Sequence, residues 1–135
     1  VFDFEFVGPG SFSLGPFEVT TARTAHPVEC YAVRLSAAGR SLVYTGDTGP
    51  SAGVVELARG ADLLLAEAAH PEVEGLPGGL HLTGRQAGEH ALQAGVGRLL
   101  ITHVPAWVDR IGQLAAASAV FPEAELVSTA AVYEV

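Results

Sequence analysis

The chain has no methionine at any position, not even the first, no lysine, a single cysteine, and no apolar run near the roughly 20 residues needed to cross a bilayer. Each absence excludes something. With Cys30 alone no internal disulfide can form, and a reducing cytoplasm is the simplest setting. All seven cations are arginines, scattered singly from Arg23 to Arg110, and the formal net charge is −8. A broad nucleic-acid surface needs clustered cations, so this charge argues against one, although single arginines still suit an isolated phosphate or carboxylate. Without lysine there is no phosphate loop, and Gly46-Asp47-Thr48-Gly49 lacks the spacing of a dinucleotide fingerprint, which leaves a small nucleotide-binding α/β domain as the weakest reading. No basic patch precedes an apolar segment at the amino end. The chain opens on Val1 in mid-pattern, so residue 1 is not expected to be where translation began, and the chain is expected to be a carboxyl-terminal piece of a longer polypeptide.

What is present is a core-forming composition. Of 135 residues, 49% are hydrophobic, enough for one packed domain or half of a larger one and too many for disorder. Val1 to Val7 alternates apolar and acidic residues with the period of a strand. Short strands are expected at Phe12–Leu14 and Phe17–Thr21 around Gly15-Pro16, then at Glu29–Leu35, with Ala37-Ala38-Gly39-Arg40 turning into Ser41–Tyr44. This first part, to residue 47, reads as a β-meander.

From residue 51 to 135 helix and strand alternate. Ser51 caps a helix over 52–59 that Gly60 ends, followed by a buried strand over Asp62–Glu67. A loop rich in glycine and proline holds His70. Thr83 caps a helix over 84–94 closed by Gly95, and Arg98–Thr102 is a strand. A helix over 111–119, a strand over 125–128 and a terminal edge strand over 132–135 complete the expectation.

Three successive strand ends therefore carry Asp47, Glu67 and His103, and a loop carries His81. In sheets fed by helical crossovers, ligand sites lie off the carboxyl ends of the strands, where loops converge. Asp47, His81 and His103 are candidates to share one pocket. An Asp in that place is a metal ligand, a general base or the cap of a following helix, with Gly46 and Gly49 allowing the sharp turn around it. A mixed histidine and aspartate set suits zinc, or iron or manganese.

The ordered set Tyr-Thr-Gly-Asp-Thr-Gly (44–49), Ala-Asp-Leu-Leu-Leu-Ala-Glu-Ala (61–68), His-Leu-Thr-Gly-Arg-Gln-Ala-Gly (81–88) and Leu-Leu-Ile-Thr-His-Val-Pro (99–105) resembles the carboxyl-terminal half of the metallo-β-lactamase superfamily. It is most similar to the branch of transfer-RNA 3′-processing endonucleases (RNase Z) and related phosphodiesterases. The resemblance runs from about His26 to His103. It implies half of a four-layer αββα sandwich, a mixed sheet with helices on one face. It also implies a metal-dependent hydrolase, phosphodiester-cleaving through a metal-bound hydroxide, holding one or two zinc ions or else iron or manganese. Asp47 matches the aspartate that bridges the two metals, and His103 the last histidine ligand. His81 matches the histidine outside the metals that binds phosphate and assists the leaving group. Glu67 falls on an acidic position with a supporting role, and His26 on a histidine near the site. His70 and His90 match nothing, and His90 reads as a solvated or core-edge helix residue.

The superfamily's His-x-His-x-Asp-His motif and a further histidine ligand are absent. With Asp47 and His103 alone a binuclear site is incomplete, since zinc takes about four ligands per ion. The missing ligands are expected from an amino-terminal half, lost or carried on a second chain, and the partner at the site is expected to be a small-molecule or phosphodiester substrate. The competing expectation is a non-catalytic half-domain that buries an apolar sheet face in a homo-oligomer.

Overall fold

The computed structural model describes residues 7–73, 75 and 79–135, so the alternating stretch at 1–7 lies outside them except for Val7. Seven strands form one sheet in sequence order, each beside its neighbour in the chain. β1 (Gly10–Leu14) and β2 (Phe17–Arg23) are antiparallel, with Leu14 opposite Phe17 and Gly15 at φ 58 in the turn. β3 (Tyr31–Ala37) pairs with β2 and turns into β4 (Arg40–Tyr44) through Ala38 and Gly39. Both turn residues have positive φ, 51 and 77, the geometry that a two-residue hairpin needs to match strand twist.

Beyond β4 every pairing is parallel: β5 (Leu63–Glu67), β6 (Arg98–Thr102) and β7 (Ala124–Leu126) follow in turn. The crossovers are α1 (Ala52–Ala58), α2 (Gly84–Ala94) and α3 (Arg110–Ser118). Crossovers are right-handed almost without exception, and these strands all advance in one direction across the sheet, so the three helices share one face. The expected mixed sheet with helices on one face is what forms. Ala32, Val43, Leu64, Ala66, Leu99 and Ile101 alternate onto that face and pack against Val54, Ala58, Ala87, Ala91 and Ala117. Val33, Leu35, Leu42 and Leu65 point the other way and are only partly buried.

Local chemistry sets the helix ends. The Ser51 hydroxyl accepts from the Val54 amide. Thr83 and Gln86 form a reciprocal capping box, and Gly95 closes α2 in the left-handed conformation, φ 65. Asp109 caps α3, which shifts its start one residue ahead of the expected Ile111. α2 and α3 approach closely because Gly84 has no side chain: a Cβ there would stand 2.1 Å from the Gln113 carbonyl oxygen.

Element ends differ from the sequence reading by one or two residues, as at β1, which begins at Gly10 rather than Phe12, and β7, which spans Ala124–Leu126 rather than 125–128; two differences have a visible cause. β3 begins at Tyr31 rather than Glu29, since the Thr24 amide donates to the Cys30 carbonyl and holds that stretch as a loop. Residues 132–135 do not form the expected edge strand, and β7 ends at Leu126. The tail is held by side chains instead: Arg98 donates to the Glu134 carbonyl, and the Tyr133 hydroxyl accepts from the Ser128 amide.

Candidate metal centre

Because β4, β5 and β6 run parallel, their carboxyl ends meet at one edge of the sheet, and the chain leaves each of them through a loop. Asp47 follows β4, Glu67 ends β5, His103 follows β6, and His81 lies two residues before the cap of α2. Donor atoms of these four residues all lie within 4.8 Å of one another. Residues separated by 56 positions thus converge.

Asp47 sits in a turn that glycine makes possible. Gly46 has φ 60, and a Cβ on it would stand 2.8 Å from the Tyr31 carbonyl oxygen. A Cβ on Gly49 would stand 2.3 Å from the Gly79 carbonyl oxygen. The Asp47 carbonyl accepts from the Thr24 hydroxyl, so its backbone is fixed while the carboxylate stays 38% exposed.

Glu67 has the opposite environment: its side chain is fully buried. Its Oε1 accepts from the Thr48 amide and from His81 Nδ1 at 2.7 Å, and its Oε2 accepts from the Ala69 amide. A buried carboxylate is stable only when paired in this way. The bond to Glu67 assigns the proton of the neutral His81 ring to Nδ1 and leaves Nε2 as the other ring nitrogen.

His103 adopts φ 51, the left-handed region that non-glycine residues visit rarely. Such strain persists where surroundings over-determine it, and it concentrates at functional sites. His103 Nδ1 lies 3.2 Å from Asp47 Oδ1, and its ring is 5.6 Å from that of His81 in an edge arrangement. His26, expected near the site, also stands beside His81 at 5.6 Å. Burial first, and then the neighbouring Asp47, Cys30 and Glu67, hold the Tyr44 phenol above its ordinary pKa.

Asp47 and His103 fit a metal in donor type and in spacing. Two donors on one tetrahedral ion with bonds of about 2.0–2.1 Å are separated by about 3.3–3.4 Å, near the 3.2 Å found. Glu67 is less suited, because both of its oxygens already accept amide hydrogens.

The remaining histidines lie outside the cluster. His70 contributes backbone: its amide donates to the Leu82 carbonyl, and its carbonyl accepts from Gln113. His90 is not solvated. It is buried, with Nε2 accepting from the Ser51 amide and Nδ1 donating to the Gln86 carbonyl, and its pKa is lowered chiefly by that burial. Sequence reading missed Thr48, whose backbone amide holds Glu67, because a backbone donor leaves no residue-type signal. It also gave no role to Trp107, which shares a cavity with His81 and His103.

A family profile described as "Beta-lactamase superfamily domain" matches residues 4–104. An uncharacterized protein of Mycobacterium leprae is 45% identical over 109 residues, covering 80% of this chain and 38% of that protein. A ribonuclease Z of Brevibacillus brevis is 43% identical over 97 residues, 65% of this chain and 30% of that enzyme. The crystal structure of the metallo-β-lactamase fold protein YhfI of Bacillus subtilis superposes with a TM-score of 0.86 at 31% identity, over 96% of this chain and 54% of YhfI. The chain thus spans about half of these relatives or less. With the profile covering most of its length, the chain belongs to the metallo-β-lactamase superfamily.

Proposed function

We propose that this chain forms part of the active site of a metal-dependent hydrolase that cleaves phosphodiesters. The observation that carries the reading is the cluster of Asp47, Glu67, His81 and His103 at the ends of three parallel strands. Zinc is the proposed metal, with iron or manganese as alternatives, because one carboxylate and one imidazole suit all three. When bound, the metal supplies Lewis acidity toward a substrate oxygen and an acidified water. Asp47 and His103 would hold the ion, and the further ligands would come from an amino-terminal half or a second polypeptide.

His81 is the proton donor. In its imidazolium form the ring donates Nδ1–H to Glu67 and presents Nε2–H to the departing oxygen, to which it gives a hydrogen bond or that proton. Burial of Glu67 keeps the imidazole from swinging away into solvent. The lone cysteine fits a reducing cytoplasm as the setting, and no described helix is long and apolar enough to cross a membrane.

The test is metal content by elemental analysis after exhaustive dialysis of the intact polypeptide, together with hydrolysis of methyl p-nitrophenyl phosphate. Bound divalent metal with activity that falls sharply in Asp47→Asn and His81→Ala is expected. Full activity and full metal content in Asp47→Asn would overturn the assignment.

A second reading has its own observation. Phe12, Leu14 and Phe17 are exposed together on the β1–β2 hairpin, with Phe12 and Leu14 on one strand and Phe17 opposite Leu14. Such a patch suits self-association. Sedimentation equilibrium at micromolar concentration checks it, and a monomer would contradict it.

A further inference from the structure

We propose that the cavity between His103 and Trp107 is a base-stacking subsite, and that the substrate of this centre is a small nucleotide phosphodiester rather than a nucleic-acid chain. The inference rests on the hydrolase reading above and adds the substrate class.

Trp107 is the only tryptophan of the chain, and it is 87% exposed. Tryptophan ordinarily buries most of a large ring. Its exposure does not come from a loose loop: the Val108 amide donates to the Pro105 carbonyl, closing a turn around Ala106 and Trp107, and Val108 is buried as its anchor. Pro105 further limits the backbone. A large planar face is thus displayed from a braced segment that begins two residues after His103.

Trp107, Pro105, Val104 and Ala69 line one cavity with His81 and His103, with a volume of about 460 Å³. That volume lies within the range of small-molecule sites, which are mostly apolar with a few convergent polar groups. The polar groups here are the two imidazoles of the proposed centre. A ligand whose scissile phosphate reaches His81 and His103 therefore has its neighbouring moiety against an apolar, aromatic wall. No charged side chain lines this cavity among the described residues. A planar heterocycle stacks on such a wall, and a second phosphate finds no counter-charge there.

Charge decides between a mononucleotide-sized substrate and a polymer. The chain carries −8 with seven arginines, and Arg40, Arg59 and Arg98 are already paired with Asp62, Glu56 and Glu125. A strand with one phosphate per nucleotide needs a row of cations along its path. One phosphodiester at a metal, with one base on Trp107, does not.

The test uses the intact polypeptide. Trp107 fluorescence is titrated with thymidine 5′-monophosphate and, separately, with ribose 5-phosphate and glycerophosphocholine. Saturable quenching by the nucleotide alone is expected. Equal responses to all three, a preference for the choline ester, or no response to the nucleotide overturns the subsite. So does a free protein whose Trp107 is not quenched by acrylamide, because another surface then covers the ring. In kinetics, thymidine 5′-p-nitrophenyl phosphate is compared with methyl p-nitrophenyl phosphate, which has the same leaving group and no base. Trp107→Ala is expected to lower the ratio of their kcat/KM values about tenfold to a hundredfold, mainly through KM, and Trp107→Phe to recover most of it. An unchanged ratio with both esters turned over overturns the subsite and leaves the hydrolase reading intact. Should the protein hydrolyse neither ester, the hydrolase reading fails, and the fluorescence titration alone decides the subsite.

Discussion

His81 Nδ1 lies 2.7 Å from Glu67 Oε1, with the carboxylate fully buried and the imidazole 21% exposed. The pair joins a fixed anion to a ring that reaches the surface. Fourteen positions separate the two residues, and the bond between them spans the loop from β5 to α2.

Glu67→Gln tests that anchor. The carboxylate accepts from three donors across two oxygens. Glutamine has one oxygen, so its amide NH₂ must face a buried N–H. A loss of about 1–3 kcal/mol of stability is expected in denaturant titration, with activity falling further than stability because His81 is no longer oriented. Wild-type stability in this variant would contradict the hydrogen-bond assignment.

Asp47→Asn separates metal binding from folding. The carboxylate is partly exposed and its backbone is held independently by Thr24. The thermal midpoint without added metal is expected to stay close to wild type, while affinity for zinc or manganese in calorimetric titration drops by about a hundredfold or more. Equal affinity would remove Asp47 from the ligand set.

His90 gives the fold an acid limit. Burial lowers its pKa in the folded chain, against smaller raising contributions from the Gln86 carbonyl and the Glu89 carboxylate. As pH falls through the unfolded value near 6.5, the unfolded chain takes up a proton that the folded chain refuses, so stability decreases with acidification until the folded pKa is reached. Protonated Nε2 could no longer accept from the Ser51 amide. Unfolding midpoints between pH 8 and pH 5 should fall, and His90→Gln should flatten that fall below about pH 6.5. Parallel slopes in the two proteins would assign the acid sensitivity elsewhere.

Gly84→Ala probes the seam between α2 and α3. The new Cβ would meet backbone of Gln113, at 2.1 Å from O and 2.9 Å from Cα, and neither atom can swing aside. A loss of about 3 kcal/mol or more, or failure to fold, is expected. Gly53→Ala is the contrast: inside α1 its nearest neighbour would be 3.7 Å away. That variant should be neutral or gain up to about 1 kcal/mol. Similar outcomes at both positions would mean that the helices do not approach as closely as described.

What the sequence determined by itself lies in short-range chemistry. Thr83 with Gln86 and Gly95 marks both ends of α2, and the apolar run before His103 gives β6 its bounds, because caps and apolar periodicity act within a few residues. The order of Asp47, Glu67, His81 and His103 along the chain was legible for the same reason, each following or ending a recognisable element. Tertiary structure decided the rest. Whether those four residues meet depends on three parallel pairings, and parallel register is set by packing across the sheet. His90 looked like any helix histidine until Ser51, 39 positions earlier, proved to be its partner. Residues 132–135 had the pattern of a strand but found no ladder, their contacts going to Arg98 and Ser128 instead. Trp107 carried no sequence signal, because exposure of a large ring is a property of what folds around it.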